Sequence, residues 1–456
     1  MMRRLSFMWG LVCLGLLAMA APYAQARVSF ADAVKSAGPS VVNIYAARLE
    51  DAPREEPMKP GVGWAEPMKQ KVARSLGSGV IVAPSGKLVT TLHVVQGADA
   101  VKVVLSDGRE FSATLTAKDE KLDLAVMQLD LAAGVTLPVA RFADSDALEV
   151  GDLVLAVGNP YGFGQSISLG VVSAVARSRI ALNPYAQFIQ TDAPLNPGSS
   201  GGALVDSTGA VVGINTAVFS KNGEAAGLGF AIPSKVVAQV VKDLTTLGRV
   251  QRPWLGLEGQ GLSADVAREL GLPDSDGLLL TGVVKGSPAA KAGLQVGDVL
   301  RTLGGQVVRD AAALNEQILL TPGLLDKPVS VAFWRGGRLN TGSLMLSALP
   351  PRRTNEQKLI KGYNPLTGYT LEPLGPALAS ELGLPLTTVG AVVVDAPTKQ
   401  PLAAFQKQFV VGDVVQLVNG QPTHDAGQAQ RALDTSRRAW ELRFLRDGVL
   451  RTISLQ

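Results

Sequence analysis

The chain carries two histidines, His93 and His424, and one cysteine, Cys13. Chemistry that needs an imidazole therefore has two candidates, and no Cys/His cluster of zinc-site spacing can be assembled. No loop suggests a carboxylate-only calcium site, so neither a metal nor another cofactor is expected. His93 lies in Val89-Thr90-Thr91-Leu92-His93-Val94-Val95, read as the end of an apolar strand, where a lone histidine would be a packed core residue. Asp123 opens Asp123-Leu124-Ala125-Val126 at a strand edge, a place where aspartate usually closes a turn. Ser200 sits in the glycine-rich Asn196-Pro197-Gly198-Ser199-Ser200-Gly201-Gly202. Singly these are weak signals. Together they offer a serine hydroxyl, a base to take its proton and a carboxylate to fix the base's tautomer. The glycines beside Ser200 permit a tight turn whose backbone amides can converge on one developing negative charge. His424 follows Gly420-Gln421-Pro422 and reads as a surface turn residue.

The elements that must bring these residues together are strands. Short β-type runs follow one another between Ser40 and Pro233, among them Ser40–Ala46, Gly77–Ala83, Leu88–Val95, Val101–Leu105, Asp123–Leu129, Leu153–Val157, Ser166–Val175, Ala186–Thr191 and Ala210–Val218. Gly, Pro, Asn and Asp punctuate them at hairpin-like intervals, the pattern of a sandwich or barrel. An insertion from Leu49 to Arg74 holds Pro53, Pro57, Pro60 and Pro67 and a mixed charge run, and reads as a mobile surface loop of a length often used for lids. Ser234 is expected to cap a helix with Val236, Val237, Val240, Val241, Leu244 and Leu247 on one face and Gly248 closing it.

Length and composition agree with this picture. The chain has 456 residues, about three domains' worth, with 46% apolar and 18% charged residues, 49 Gly and 27 Pro. That is a turn-rich globular composition and excludes a largely disordered chain. The formal charge of +4 falls to +2 without Arg3 and Arg4, too small an excess to argue for nucleic acid. Those two arginines begin an export signal: Leu5 to Ala21 is almost wholly apolar, and Ala24-Gln25-Ala26 offers small residues for cleavage. A spanning helix wants about 20 apolar residues, and this run stops short at Pro22. Residues 1–26 are thus expected to leave a mature chain starting near Arg27, outside the cytoplasm, without Cys13 and without a stable membrane span.

Beyond Gln251-Arg252-Pro253 the sequence repeats. Glu269-Leu270-Gly271-Leu272-Pro273 recurs as Glu381-Leu382-Gly383-Leu384-Pro385, and Gly297-Asp298-Val299 as Gly412-Asp413-Val414, each with a Gly-Gln turn after it. The offsets suit two small tandem domains rather than a solenoid. The expected boundaries are 27–248, 253–348 and 362–456, with Thr354 to Lys361 as a polar linker.

Thr90–Val95 with Gly97-Ala98-Asp99, Asp119–Ala125, Gly158-Asn159-Pro160 and Thr191–Leu204 resemble the HtrA/Deg family of trypsin-like serine endopeptidases. The order His, Asp, Ser within one β-rich domain is that of chymotrypsin-type barrels. The resemblance covers nearly the whole mature chain, and both repeats resemble PDZ domains. It implies a mainly β chain: a chymotrypsin-like double β-barrel followed by two PDZ domains that are β-rich with helices. It further implies a homotrimer or a multiple of one, a periplasmic role against misfolded or unfolded envelope proteins, and sometimes chaperone activity. Carried over by position, His93 is the general base, Asp123 its orienting carboxylate and Ser200 the nucleophile, with Gly198 and Ser200 amides for the oxyanion. Ser199 stands where the family usually has Asn, and its amide is expected to remain available to the same hole. It leaves open which serine attacks, a choice the following Gly201-Gly202 favours for Ser200. The Thr91-Leu92 pair also departs from the family pattern.

Trp254-Leu255-Gly256-Leu257 resembles the PDZ loop whose amides capture a peptide C-terminus, and Thr367-Gly368-Tyr369-Thr370 holds the similar place in the second repeat less closely. The stretch before the nucleophile, Ala193-Pro194-Leu195-Asn196, should line the primary specificity pocket. There Leu195 would narrow it for small aliphatic residues, unless the loop from Phe219 to Phe230 builds the pocket instead. The reading is an exported serine endopeptidase acting on unfolded proteins. Two others stand beside it: a peptide-binding chaperone with an idle protease site, and a membrane-anchored regulatory protease.

Overall fold

The computed structural model describes residues 29–51, 70–159, 164–177, 187–218, 228–321, 325–397, 408–435 and 439–455. The export signal with Cys13, and most of the Pro-rich insertion, lie outside the described residues. A short helix, α1 (Ala31–Ala37), precedes the first barrel. That barrel contains β1 (Val41–Asp51), β2 (Gln70–Ile81), β3 (Lys87–Thr91), β4 (Ala100–Val104), β5 (Glu110–Asp119) and β6 (Leu124–Leu129), closed in the order β1-β2-β3-β6-β5-β4. Between β3 and β4 lies α2 (Leu92–Val95), a single turn. The second barrel holds β7 (Leu153–Gly158), β8 (Ser166–Arg177), β9 (Phe188–Thr191), β10 (Ala203–Asp206), β11 (Val211–Val218) and β12 (Gly229–Pro233), closed as β10-β11-β12-β9-β8-β7.

One apolar cluster runs across both barrels, from Val80, Val89 and Leu124 to Val157, Ile214 and Ile232. Closure leaves neither sheet a free edge, and the shared cluster fixes the barrels against each other. The helix after them, α3 (Ser234–Leu247), buries Val236, Val237, Val240 and Leu244 in that cluster, each worth roughly 1.5–3 kcal/mol. Its end is the left-handed Gly248 (φ 69°), as expected. Its start is not: the N-cap is Pro233, and the Ser234 hydroxyl donates to the Ala143 carbonyl at 2.6 Å instead of capping.

Two sheets follow. The first repeat holds β13 (Leu257–Gly261), α4 (Ala264–Glu269), β14 (Leu278–Val283), α5 (Pro288–Lys291), β15 (Val299–Leu303), β16 (Gln306–Val307), α6 (Ala311–Leu320), β17 (Pro328–Arg335) and β18 (Arg338–Met345). The second holds β19 (Lys358–Leu359), β20 (Thr370–Pro373), α7 (Pro376–Glu381), β21 (Ala391–Asp395), β22 (Val414–Val418), β23 (Gln421–Pro422), α8 (Ala426–Asp434), β24 (Trp440–Arg446) and β25 (Val449–Leu455). The path β13-β14-β15-β17-β18, with β16 on β15, recurs as β20-β21-β22-β24-β25 with β23 on β22. The supposed linker is partly built into the second sheet. Lys358 and Leu359 pair with Leu371 and Thr370, and Gln357 Nε2 donates to Glu372 at 2.8 Å, so that unit starts ahead of residue 362.

Candidate active site between the barrels

β3 pairs with β6 so that Thr91 faces Leu124, which sets the residues just beyond each strand side by side. His93 is not on the strand, as the sequence suggested, but on the one-turn helix after it. The turn is fixed because the Leu92 amide donates to the Asp123 carbonyl at 2.9 Å. The His93 amide donates to Asp123 Oδ1 at 2.9 Å, and the ring Nδ1 meets Asp123 Oδ2 at 2.5 Å. Asp123 adopts φ 54°, a left-handed backbone that costs a non-glycine residue energy, though less for Asp than for a branched side chain. The two bonds to His93 and one from Leu92 repay that strain. With Nδ1 held by a carboxylate, Nε2 is the nitrogen left to take a proton.

Ser200 arrives from the second barrel, in the turn before β10. Its hydroxyl rests on the Thr216 carbonyl at 3.2 Å, and Thr216 in turn reaches Asp123 Oδ2 at 3.5 Å. Among the described residues the amides of Gly198 and Ser200 donate to no protein acceptor, whereas the Ser199 amide closes the turn onto the Asn196 carbonyl at 2.9 Å. The expectation that Ser199 keeps its amide available is therefore corrected: a turn this tight consumes the middle amide and leaves the flanking two. Ser199 is buried, and its hydroxyl accepts from the Asn196 amide at 3.3 Å, within the same turn.

A residue the sequence reading missed ties the halves together. Ser78, fully buried on β2, donates its hydroxyl to the Gly198 carbonyl at 2.7 Å and its amide to the Ser200 carbonyl at 2.8 Å. The Asn159 amide donates to the same hydroxyl at 2.9 Å, and Thr90 Oγ1 to the Ser78 carbonyl at 2.7 Å. One serine of the first barrel thus sets the peptide planes around the nucleophile. Gly201, at φ 83°, lies so close to Ser78 O and Thr90 Oγ1 that no Cβ fits. The only signal was the run Gly77-Ser78-Gly79, which marks close approach but not its target.

Leu195 is buried beneath β12, where a Cβ on Gly229 would meet its Cδ1 at 2.9 Å. The nearest carboxylate before the Ala193–Asn196 stretch, Asp192, accepts through Oδ1 from the Val171 amide at 2.7 Å. The alternative pocket loop, 219–227, lies outside the described residues. His424 is exposed, its amide bonded to Gln428 Oε1 at 2.8 Å, just ahead of α8.

A second concavity, about 420 Å³, lies between β13 and α6. Trp254, Leu255, Gly256 and Leu257 line its end, and among the described residues the Leu255 and Gly256 amides and the enclosed Trp254 Nε1 find no acceptor. The counterpart loop differs: the Thr367, Gly368 and Tyr369 amides donate to the carbonyls of Asn364, Ile360 and Leu366, and Tyr369 is packed inside. Its donors are spent on its own turn.

Residues 77–214 match the trypsin-like peptidase domain, and residues 279–318 the PDZ domain. Over 417 residues the chain is 34% identical to a probable periplasmic serine protease do/HhoA-like of Haemophilus influenzae, spanning 90% of this chain and 85% of that one. It is 35% identical over 368 residues to the periplasmic serine endoprotease DegP of Salmonella typhimurium, spanning 80% and 73%. Among solved structures, the HtrA-type protease AlgW with a decapeptide is similar at a TM-score of 0.57 and 40% identity, covering 71% of this chain and all of that one. AlgW with a tripeptide gives 0.58 and 39%, covering 72% and 99%.

Proposed function

The chain belongs to the HtrA/DegP family of serine endoproteases, and from that membership we propose that it works in the periplasm on misfolded or unfolded envelope proteins, through His93, Asp123 and Ser200. Ser200 Oγ attacks the scissile carbonyl as its proton passes to His93 Nε2, and Asp123 holds the ring and balances the imidazolium. The carbonyl oxygen, now negative, is met by the Gly198 and Ser200 amides. The tetrahedral intermediate collapses, His93 gives the proton to the departing amine, and water then cleaves the acyl-serine by the same route reversed. The observation that carries this reading is the 2.5 Å contact between His93 and Asp123 beside a turn with two uncommitted amides.

The buried Leu195 favours Val, Ile, Ala or Leu before the cut bond, since an unpaired Lys or Arg would lose its hydration to an apolar wall. The first repeat takes peptide C-termini along β13. The second has the strand order of a PDZ domain but no open amides in its loop, so it serves packing rather than carboxylate capture. Assembly as a homotrimer or its multiple, and chaperone activity, complete the proposal. The idle-site reading draws on the Ser200 hydroxyl resting on Thr216. Casein hydrolysis separates the two: Ser200→Ala and His93→Ala should each lose several orders of magnitude and Ser199→Ala little. Full activity in Ser200→Ala would sink the assignment.

A further inference from the structure

The groove along β13 is walled by the chain's own second repeat. Glu258 stands on β13, and its carboxylate accepts from the Leu386 amide and, at 2.9 Å, from Thr387 Oγ1. The Thr387 methyl packs against β14, where a Cβ on Gly282 would meet it at 2.9 Å. Leu384 and Leu386 line the groove opposite Leu314 and Ile318 of α6. A third tie runs from the barrels: Lys121 Nζ donates to Ser380 Oγ of α7 at 3.2 Å. The wall segment begins with the last two residues of the repeated Glu-Leu-Gly-Leu-Pro motif, whose first copy, at Glu269 to Pro273, stays within its own unit.

We propose that the segment Leu384–Thr387 is an autoinhibitory wall, clamped by Glu258, which a substrate's C-terminal strand must displace to enter the first repeat's groove. The inference rests on the reading of that groove as a peptide site. β13 is the edge of its sheet, the side on which a guest strand adds, and Glu258 is the only residue of that strand bonded to the second repeat among the described residues. Opening the clamp costs two charge-assisted hydrogen bonds, stronger than neutral ones, so the closed form dominates until a peptide competes for it.

The test uses the full chain carrying Ser200→Ala, so that peptide is bound but not cut, and a fluorescent decapeptide with an apolar C-terminal residue and free carboxylate. Leu386→Asp sets a second carboxylate beside Glu258 at a half-buried position, and Glu258→Ala breaks the clamp from the other side. Both should tighten peptide binding at least tenfold, the factor expected when the closed form outnumbers the open one ten to one. Hydrogen exchange at residues 257–261 should quicken in both. Equal affinity in all three proteins would overturn the wall while leaving the groove reading in place. No peptide binding in any of them, with faster exchange reporting an open clamp, would overturn the groove reading and the wall with it.

Discussion

Ser78 makes the case at the scale of one residue. Its hydroxyl holds the Gly198 carbonyl, and its amide the Ser200 carbonyl, so it pins the peptide planes on either side of the Ser199–Ser200 link and through them the turn that aims the Gly198 and Ser200 amides. An oxyanion site works because its donors are set before charge appears, and a plane that can rotate forfeits part of that. Ser78→Ala should lower kcat roughly 10- to 100-fold with KM little changed, a fraction of what losing a whole oxyanion donor costs. Steady-state kinetics on a short aliphatic peptide substrate would check it; an unchanged kcat would show that the turn holds its shape unaided. His93, Asp123 and Ser200 were legible because their types, order and flanking glycines are chemical statements in one dimension. Ser78 was not, since a serine between two glycines says nothing of a partner 120 residues away. The same limit misplaced His93 on a strand: Val94 and Val95 favour β structure locally, and the bond from Leu92 to Asp123 overrides them.

Among the elements, the repeated motifs carry a structural meaning that the sequence shows only as recurrence. Gly271 (φ 71°) and Gly383 (φ 65°) end α4 and α7, and the leucine after each donates back to Ala267 and Ala379 at 2.9 Å, the closing bond of a Schellman motif. Gly-Asp-Val is a buried ion pair. Asp298 and Asp413 are nearly inaccessible, and Arg335 and Arg446 grip them with two nitrogens at 2.6–2.8 Å while stacking on Phe333 and Phe444. Strands β5, β10 and β12 are faint in the sequence for an opposite reason: β5 alternates weakly between charged ends, while β10 and β12 abut the glycines and proline that elsewhere mark turns. The ion pair is open to measurement. Arg335→Leu strands the Asp298 carboxylate in a dry site and should cost about 2–3 kcal/mol, somewhat under the usual range because the arginine is partly exposed. Urea unfolding would show it, and Asp298→Asn together with Arg335→Leu should recover much of the loss, since it removes the orphaned charge.

At the scale of the molecule, α6 faces two ways, lining the groove with Leu314 and Ile318 while Leu319 and Leu320 join the apolar cluster of the barrels. Beside those leucines Glu316 has Oε2 enclosed without a hydrogen-bond partner among the described residues. Burial, helped by the nearby carboxylates Asp146 and Asp310 and opposed by Lys235, pushes its pKa from 4.5 up to about 7. Lys235 is engaged with Asp146, so it compensates Glu316 only in part. The docked helix therefore holds a proton that an undocked one releases between pH 4.5 and about 7. Stability from this group is fully present below pH 4.5, drains away as pH rises through about 7, and is flat above that. The full shift corresponds to about 3 kcal/mol, and partial exposure of the side chain reduces it to roughly 1–2 kcal/mol. Glu316→Gln keeps a neutral head of similar shape at every pH. Thermal melts of the two proteins should nearly coincide at pH 5 and separate by pH 8, with the glutamine form melting a few degrees higher, roughly 2–4 °C for a unit of this size. The two histidines are common to both proteins and cancel in the difference. Curves that stay parallel from pH 5 to 8 would show that Glu316 ionises without strain and that α6 is held to the barrels by its leucines alone.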